Sequence, residues 1–422
     1  MVTKIDPRAL VRASGGPRYA VALAVDALGT GLLRPFLLLY GVTVLGLSAP
    51  ATGVAMTVGI VVGLVCMPGV GRWLDRGARS TVVAASMLVR VLGVALLLAA
   101  PTGDVWVFGA AALFLGVGNQ AFPAAHAALV ATVAHGRERD AALAGGRSLR
   151  NAGLGVGALV ATVCLAGGAS ALQVLAAGTG VAYLVAAVLA WSVQVHADPA
   201  GATVQDDAPA PRMRGLLAAN VVYVFCLNVP EIALPLILVT QLDASPVWSA
   251  AIFVANTVLV VTLQVPVTVA MARLSRRTVL VVAGVVLAGS YLGFLVASSS
   301  GQWGAAAVAV VSVVCTIGEI LYAGSATALV TALAPPRVLG RTLARFELSS
   351  GFGLAVSPAV ITGLASRGPA ALWGSLATAT LLSAAAVARD RSVGDGSPSG
   401  GRAGGRSVGE GRLSDRLFSG RR

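Results

Sequence analysis

The chain has 422 residues, 57% of them hydrophobic and only 11% charged, with a mean hydropathy of +0.85. A soluble domain carries about 25% charged residues; a water-soluble chain of this length would form two or three domains, which these charges are too few to cover. The net charge of +13 does not indicate nucleic acid, because the basic residues are almost all arginines in short gaps between apolar runs, with no interleaved aromatic platform.

Residues 1–18 read as a short N-terminal segment. The first apolar run begins near Tyr19 and is too long for the apolar region of a signal peptide. A bilayer core needs about 20 apolar residues per helix. Apolar runs predict spans over residues 19–44, 50–70, 80–100, 104–131, 147–166 and 169–194, then 214–240, 247–271, 278–298, 302–332, 343–364 and 368–388. The runs are continuous rather than alternating, which argues against a membrane barrel. The fold class expected is an all-α membrane protein, with twelve helices in two six-helix bundles over 19–194 and 214–389. Between them, residues 195–213 carry Asp198, Pro199, Asp206, Asp207, Pro209 and Pro211 and read as a flexible linker. Residues 390–422, rich in Gly, Ser and Arg, read as a disordered tail.

The charges order these spans. Alternate gaps hold Arg8, Arg12 and Arg18; Arg72, Arg76 and Arg79; Arg137, Arg139, Arg147 and Arg150; Arg212 and Arg214; Arg273, Arg276 and Arg277; and Arg337, Arg341 and Arg345. The other gaps hold little beyond Asp104, Asp243 and Arg367. Basic loops face the cytoplasm, so both termini are expected there, in a multi-pass protein of the cell membrane. Cys66, Cys164, Cys226 and Cys315 lie singly within apolar runs, with no zinc spacing, and read as small buried side chains.

The second half repeats the first at an offset of roughly 200 residues. Pro35 falls on Pro235, Gly118-Asn119 on Gly318-Glu319, and Arg147, Gly153 and Gly155 on Arg345, Gly351 and Gly353. Parallel six-helix repeats are a known transporter architecture with the substrate site between the halves. Gly71-Arg72-Trp73-Leu74-Asp75-Arg76-Gly77-Ala78-Arg79 resembles the GxxxDRxGRR loop of the major facilitator superfamily, one position short before the final basic residue. The resemblance implies alternating access, with this loop latching the two halves in an outward-facing state. Gly71 would allow close packing and Asp75 would sit at a helix N-terminus of the other half, where negative charge is favoured; Arg76 and Arg79 complete the motif. The corresponding loop, Val269 to Arg277, keeps the arginines but lacks the glycine and the aspartate.

Ionisable groups at membrane depth cost several kcal/mol unless paired or facing water, so each is a candidate for the site. Asp26 and Arg34 share a face of the first span, about 12 Å apart along the helix at 1.5 Å per residue. Asp26 reads as a proton carrier or cation contact, or as a buried partner of Arg90 in span three; Arg34 reads as a cavity residue or an anchor. Glu231, between Pro230 and Pro235, suggests a broken helix lining a cavity. Glu319, opposite Asn119 in the repeat, sits mid-depth; neither acid has a cationic partner nearby in sequence, which suits a reversible proton site or a substrate contact. Asn119 and Gln120 could present amides to the cavity. Glu347 reads as part of a helix-end salt-bridge cluster with Arg341 and Arg345, and His126 as an interfacial histidine. Gly153, Gly155 and Gly157 mark a close-packing face.

The sequence has no phosphate-binding GxxxxGK[ST] loop, nucleophile elbow or metal-ligand cluster, so neither enzyme chemistry nor a cofactor is expected. The expected partners are a small-molecule substrate, protons and the lipid bilayer. The function expected is proton-coupled efflux of small apolar or amphipathic compounds; the alternative is proton-coupled uptake of a polar solute such as a sugar or organic anion, with Arg34 and Arg90 binding a carboxylate.

Overall fold

The computed structural model describes residues 7–165, 168–195 and 213–390; all but the first residue of the expected tail and all but the two ends of the expected linker lie outside them. Among the described residues every regular element is helical. A short helix, α1 (Pro7–Ala13), precedes α2 (Pro17–Leu33), α3 (Leu37–Thr43), α4 (Ala49–Asp75), α5 (Arg79–Ala99), α6 (Val105–Val133), α7 (Gly136–Cys164) and α8 (Gly168–Trp191). Then follow α9 (Arg214–Tyr223), α10 (Leu234–Thr240), α11 (Pro246–Met271), α12 (Arg276–Ala297), α13 (Gly304–Leu333), α14 (Leu339–Ala365) and α15 (Pro369–Arg389). Among the described residues, eleven helical segments are long and apolar enough to cross a membrane, α2–α3 and α9–α10 each counting as one.

Local chemistry sets several boundaries. Asp104, at an expected loop, caps α6 by accepting from the Trp106 and Val107 N–H groups at 2.9 and 3.1 Å. Ser48 and Ser275 cap α4 and α12 in the same way. Pro35 sits in a 3₁₀ turn, Arg34–Phe36, that divides α2 from α3. Between α9 and α10 lie a 3₁₀ stretch, Val224–Asn228, and a π turn, Val229–Ala233, that contains Pro230 and Glu231. Such irregular turns recur at functional sites.

One boundary differs materially from expectation. The helix expected to start at 147 begins at Gly136. Its first half carries Arg137, Arg139, Arg147 and Arg150, which read as loop charge in the sequence, and α7 is not among the eleven apolar segments. Arg147 and Arg150 therefore stand three to four turns inside a helix.

The N-terminal helices pack as α2 on α7 and α8, α5 on α6 and α8, and α4 on α6; the C-terminal ones as α12 on α13 and α15, α9 on α14 and α15, and α11 on α13. Between the two sets, α4 packs on α14 and α7 on α11. Small residues permit the closest approaches. A Cβ on Gly153 would lie 2.6 Å from the Ala27 Cβ, and one on Gly31 3.0 Å from the Gly157 Cα, so these glycines bring α7 onto α2. Gly155 faces α11 instead, at Thr257.

Candidate functional site

The side chains that join the N-terminal helices to the C-terminal ones lie in two layers. The first is at the end of the molecule where the arginine-rich loops gather. Asp75, the last residue of α4, accepts the Gly340 N–H at 2.6 Å, the Arg341 N–H at 3.3 Å and the Arg341 Nε at 2.7 Å. Gly340 and Arg341 open α14, so the carboxylate caps a helix N-terminus and pairs with its arginine at once. Two glycines allow the approach: a Cβ on Gly71 would lie 2.9 Å from the Arg341 Cα, and one on Gly340 2.9 Å from the Asp75 N. Gly71 stands out in the loop motif; Gly340 does not. Arg79 stays within its own segment, its Nη1 donating to the Leu74 carbonyl at 2.5 Å, and Arg76 is exposed.

A second contact at this end has the opposite polarity. Arg276, which opens α12, donates from Nε to Asp140 Oδ2 on α7 at 2.8 Å. The loop before α12 lacks an aspartate of its own; its arginine meets an acid from the other set of helices. Sequence reasoning does not single out Asp140. Its signal is the paired acid-base run Arg137-Glu138-Arg139-Asp140, out of place in a loop otherwise carrying only arginine.

The deeper layer centres on α7. Arg147 Nη2 lies 3.4 Å from Glu319 Oε1 on α13, with Asn256 of α11 beside the carboxylate. Glu319 is 8% exposed and Arg147 31%, so one partner is buried and the other reaches open space. This corrects the expectation of an unpartnered Glu319: its cation comes from 172 residues away. One turn on, the Arg150 guanidinium stacks 5.1 Å from the Phe122 ring centroid. Glu347 on α14 lies within electrostatic reach of Arg150 and Arg147. It is no part of a helix-end cluster, since Arg341 pairs with Asp75 and Arg345 is exposed.

Asp26 and Arg90 form an ion pair within the N-terminal helices, 2.5 Å apart, with side chains 2% and 0% exposed. Arg90 Nε also donates to the Ser86 carbonyl at 3.3 Å, and the guanidinium lies 4.3 Å from the Tyr183 ring centroid. Tyr183 donates to Thr30 Oγ1 at 3.1 Å, and Thr30 donates to the Asp26 carbonyl at 2.8 Å. The pair is enclosed, so Arg90 does not present its charge to a ligand in this state. Arg34 and Glu231 are both exposed and within electrostatic reach of one another, at the 3₁₀ and π turns that interrupt their helices. Glu231 thus also has a cation near it, again distant in sequence. Asn119 is half-buried, and its Oδ1 has no hydrogen-bond partner. His126 is not interfacial; it stacks on Tyr19 and Phe122, with Nδ1 2.9 Å from the Tyr19 hydroxyl.

The layers together make a closure between two sets of helices that is fastened by charge at one end and carries ionisable groups deeper in. Among the described residues no cluster of His, Cys, Asp and Glu is placed to hold a metal ion.

Comparison with known proteins bears on what such a closure is for. The family model described as Major Facilitator Superfamily matches residues 19–358. No curated protein sequence matches the chain. Similar solved structures include the human organic anion transporter MFSD10 (TETRAN), with a TM-score of 0.69 at 13% identity, covering 91% of this chain and 100% of that one. A bacterial homologue of the iron transporter ferroportin, in an outward-facing state, superposes with a TM-score of 0.71 at 10% identity, covering 88% and 98%. The E. coli fucose:proton symporter FucP gives 0.65 at 14% identity, covering 88% and 95%. At these identities the likeness is one of fold.

Proposed function

Because the chain belongs to the major facilitator superfamily, we propose that it is a secondary active transporter of the cell membrane, with twelve spans in two six-helix halves and both termini cytoplasmic. On this reading α7 is the twelfth span, and the arginine-rich end faces the cytoplasm. The contacts of Asp75 with α14 and of Asp140 with Arg276 are latches that hold the cytoplasmic end shut.

The reading is proton-coupled efflux of small apolar or amphipathic compounds. The observation that carries it is the pair of Arg147 and Glu319 across the interface of the halves. In the closed state the two charges neutralise each other. When the halves part at this end, an ionised Glu319 would be left without its arginine at membrane depth, at a cost of several kcal/mol. A proton on Glu319 removes that cost. A proton arriving from outside therefore releases the closure. Loss of that proton to the cytoplasm, as substrate binds, restores the pair and closes the end behind the substrate. Proton and substrate move in opposite directions. Arg34, Glu231, Asn119, Arg150 and Glu347 belong on this reading to the substrate cavity. Asp26 and Arg90 position α2 against α5.

The test is accumulation of a fluorescent lipophilic cation in cells producing the wild type or Glu319→Gln, with and without a protonophore. The wild type is expected to lower accumulation in a protonophore-sensitive manner, and Glu319→Gln to match cells without the protein. Protonophore-sensitive export that survives in Glu319→Gln would refute the role of Glu319. A second reading, uptake of an organic anion, draws on the exposed Arg34 and on Arg150; saturable inward transport of one carboxylate in proteoliposomes would establish it instead.

A further inference from the structure

A cavity of about 420 Å³ opens at the arginine-rich end, between the N-terminal turn of α7, the C-terminal turn of α11, the start of α12 and the adjoining half of α13. Neither Arg147 nor Glu319 nor Asp75 lines it; of the contacts described above, only that of Asp140 with Arg276 lies in its wall. Its chemistry is divided. Arg137, Arg273 and Arg276 stand in its wall, and Met271, Ile320 and Leu329 supply apolar side chains to the rest of the lining beside Thr268 and Ser325. Arg137 and Arg273 are exposed and make no hydrogen bond or ion pair among the described residues. The acid in the wall, Asp140, is already bonded to Arg276, so it neutralises neither of the other two arginines.

The surroundings identify what would fill such a space. Helices α11 and α12 both pack on α13 but scarcely on each other, so close helix packing does not seal the cavity between them. Leu274, between them, is 48% exposed. A ligand entering here meets cations at the level of the helix ends and hydrocarbon below, the profile of an amphiphile with an anionic head. Basic pockets between membrane helices on the cytoplasmic side suit anionic headgroups. The chain's own C-terminal segment is a poor occupant, since residues 390–422 carry seven arginines against four acids. We propose that this cavity binds one anionic phospholipid, its phosphate between Arg137 and Arg273 and its chains against α11 and α12. The proposal needs the chain to lie in a membrane but is independent of the transported substrate.

The experiment uses full-length protein reconstituted in phosphatidylcholine vesicles containing phosphatidylglycerol, extracted in mild detergent, with retained lipid counted by native mass spectrometry. The wild type is expected to keep one phosphatidylglycerol in preference to phosphatidylcholine. Arg137→Gln/Arg273→Gln is expected to keep about twenty-five-fold less, the product of about fivefold per arginine. Arg337→Gln, an exposed arginine at the same end but outside the cavity, should retain lipid as the wild type does. Equal retention of the two lipids would overturn the proposal, as would an equal loss in Arg337→Gln. Displacement of the lipid by excess inorganic phosphate would also overturn it, by assigning the cavity to a free anion.

Discussion

Asp26→Leu is expected to destabilise the protein by about 3–5 kcal/mol, the cost of leaving one member of a buried ion pair without its partner. That is a large share of the roughly 5–15 kcal/mol that holds a typical native state together. The guanidinium of Arg90 is fully enclosed, and its remaining contacts are the Ser86 carbonyl, a long bond to Thr30 and the faces of Tyr183 and Phe122. None of these supplies a counter-charge. Arg90→Met should cost a similar amount by stranding the carboxylate. The double variant Asp26→Leu/Arg90→Met should recover most of the loss, because an apolar pair of similar volume commonly replaces a buried ion pair at little cost. Thermal unfolding in detergent measures all three. Transport by the double variant then separates the two roles that Asp26 can have. A positioning pair predicts that a folded double variant still transports in response to a pH gradient. A proton carrier predicts a folded but inactive protein.

Asp75→Asn is expected to open the arginine-rich end, shifting the balance of states by about 2 kcal/mol, roughly thirtyfold in population. The variant keeps the shape of the side chain but loses the charge that faces both the first turn of α14 and Arg341. Spin labels at Glu138→Cys and Arg337→Cys, both exposed at this end and on opposite sets of helices, would report a longer distance. Charge reversal should distinguish the two latches. Asp140→Arg/Arg276→Asp is expected to restore a short distance, since that contact is mainly a pair of side chains. Asp75→Arg/Arg341→Asp is not, because it places a cation against backbone N–H groups that need an acceptor. Gly340→Val should also open the end, by pushing α14 off Gly71 and Asp75.

The features legible in the sequence are those written locally. Continuous apolar runs place the spans, alternation of arginine-rich gaps orders them, and the prolines at 35, 230 and 235 mark where α2–α3 and α9–α10 are interrupted. Asp75, at the end of α4, is visible by its motif. The pairing of Asp26 with Arg90 in span three is one of the readings the sequence offers for Asp26, because an ionised group at membrane depth needs a partner or water. What stays hidden depends on partners far apart in the chain. Asp140 and Arg276 are 136 residues apart and Arg147 and Glu319 172, and no spacing rule links them. The start of α7 is obscured for the same reason. Arginines read as loop when their partners are out of view, yet here Arg147 faces Glu319 across the interface and Arg150 lies against Phe122, so the helix carries them without exposing them to lipid.

The most direct measurement is proton movement driven by substrate in proteoliposomes that enclose a pH-sensitive dye, with no pH gradient imposed. Addition of a lipophilic cation such as tetraphenylphosphonium outside vesicles holding the wild type should make the lumen alkaline, as substrate enters and protons leave. Vesicles holding Glu319→Gln should show no such change. Acidification of the lumen by the wild type, or alkalinisation that persists in Glu319→Gln, would contradict proton exchange through the Arg147–Glu319 pair.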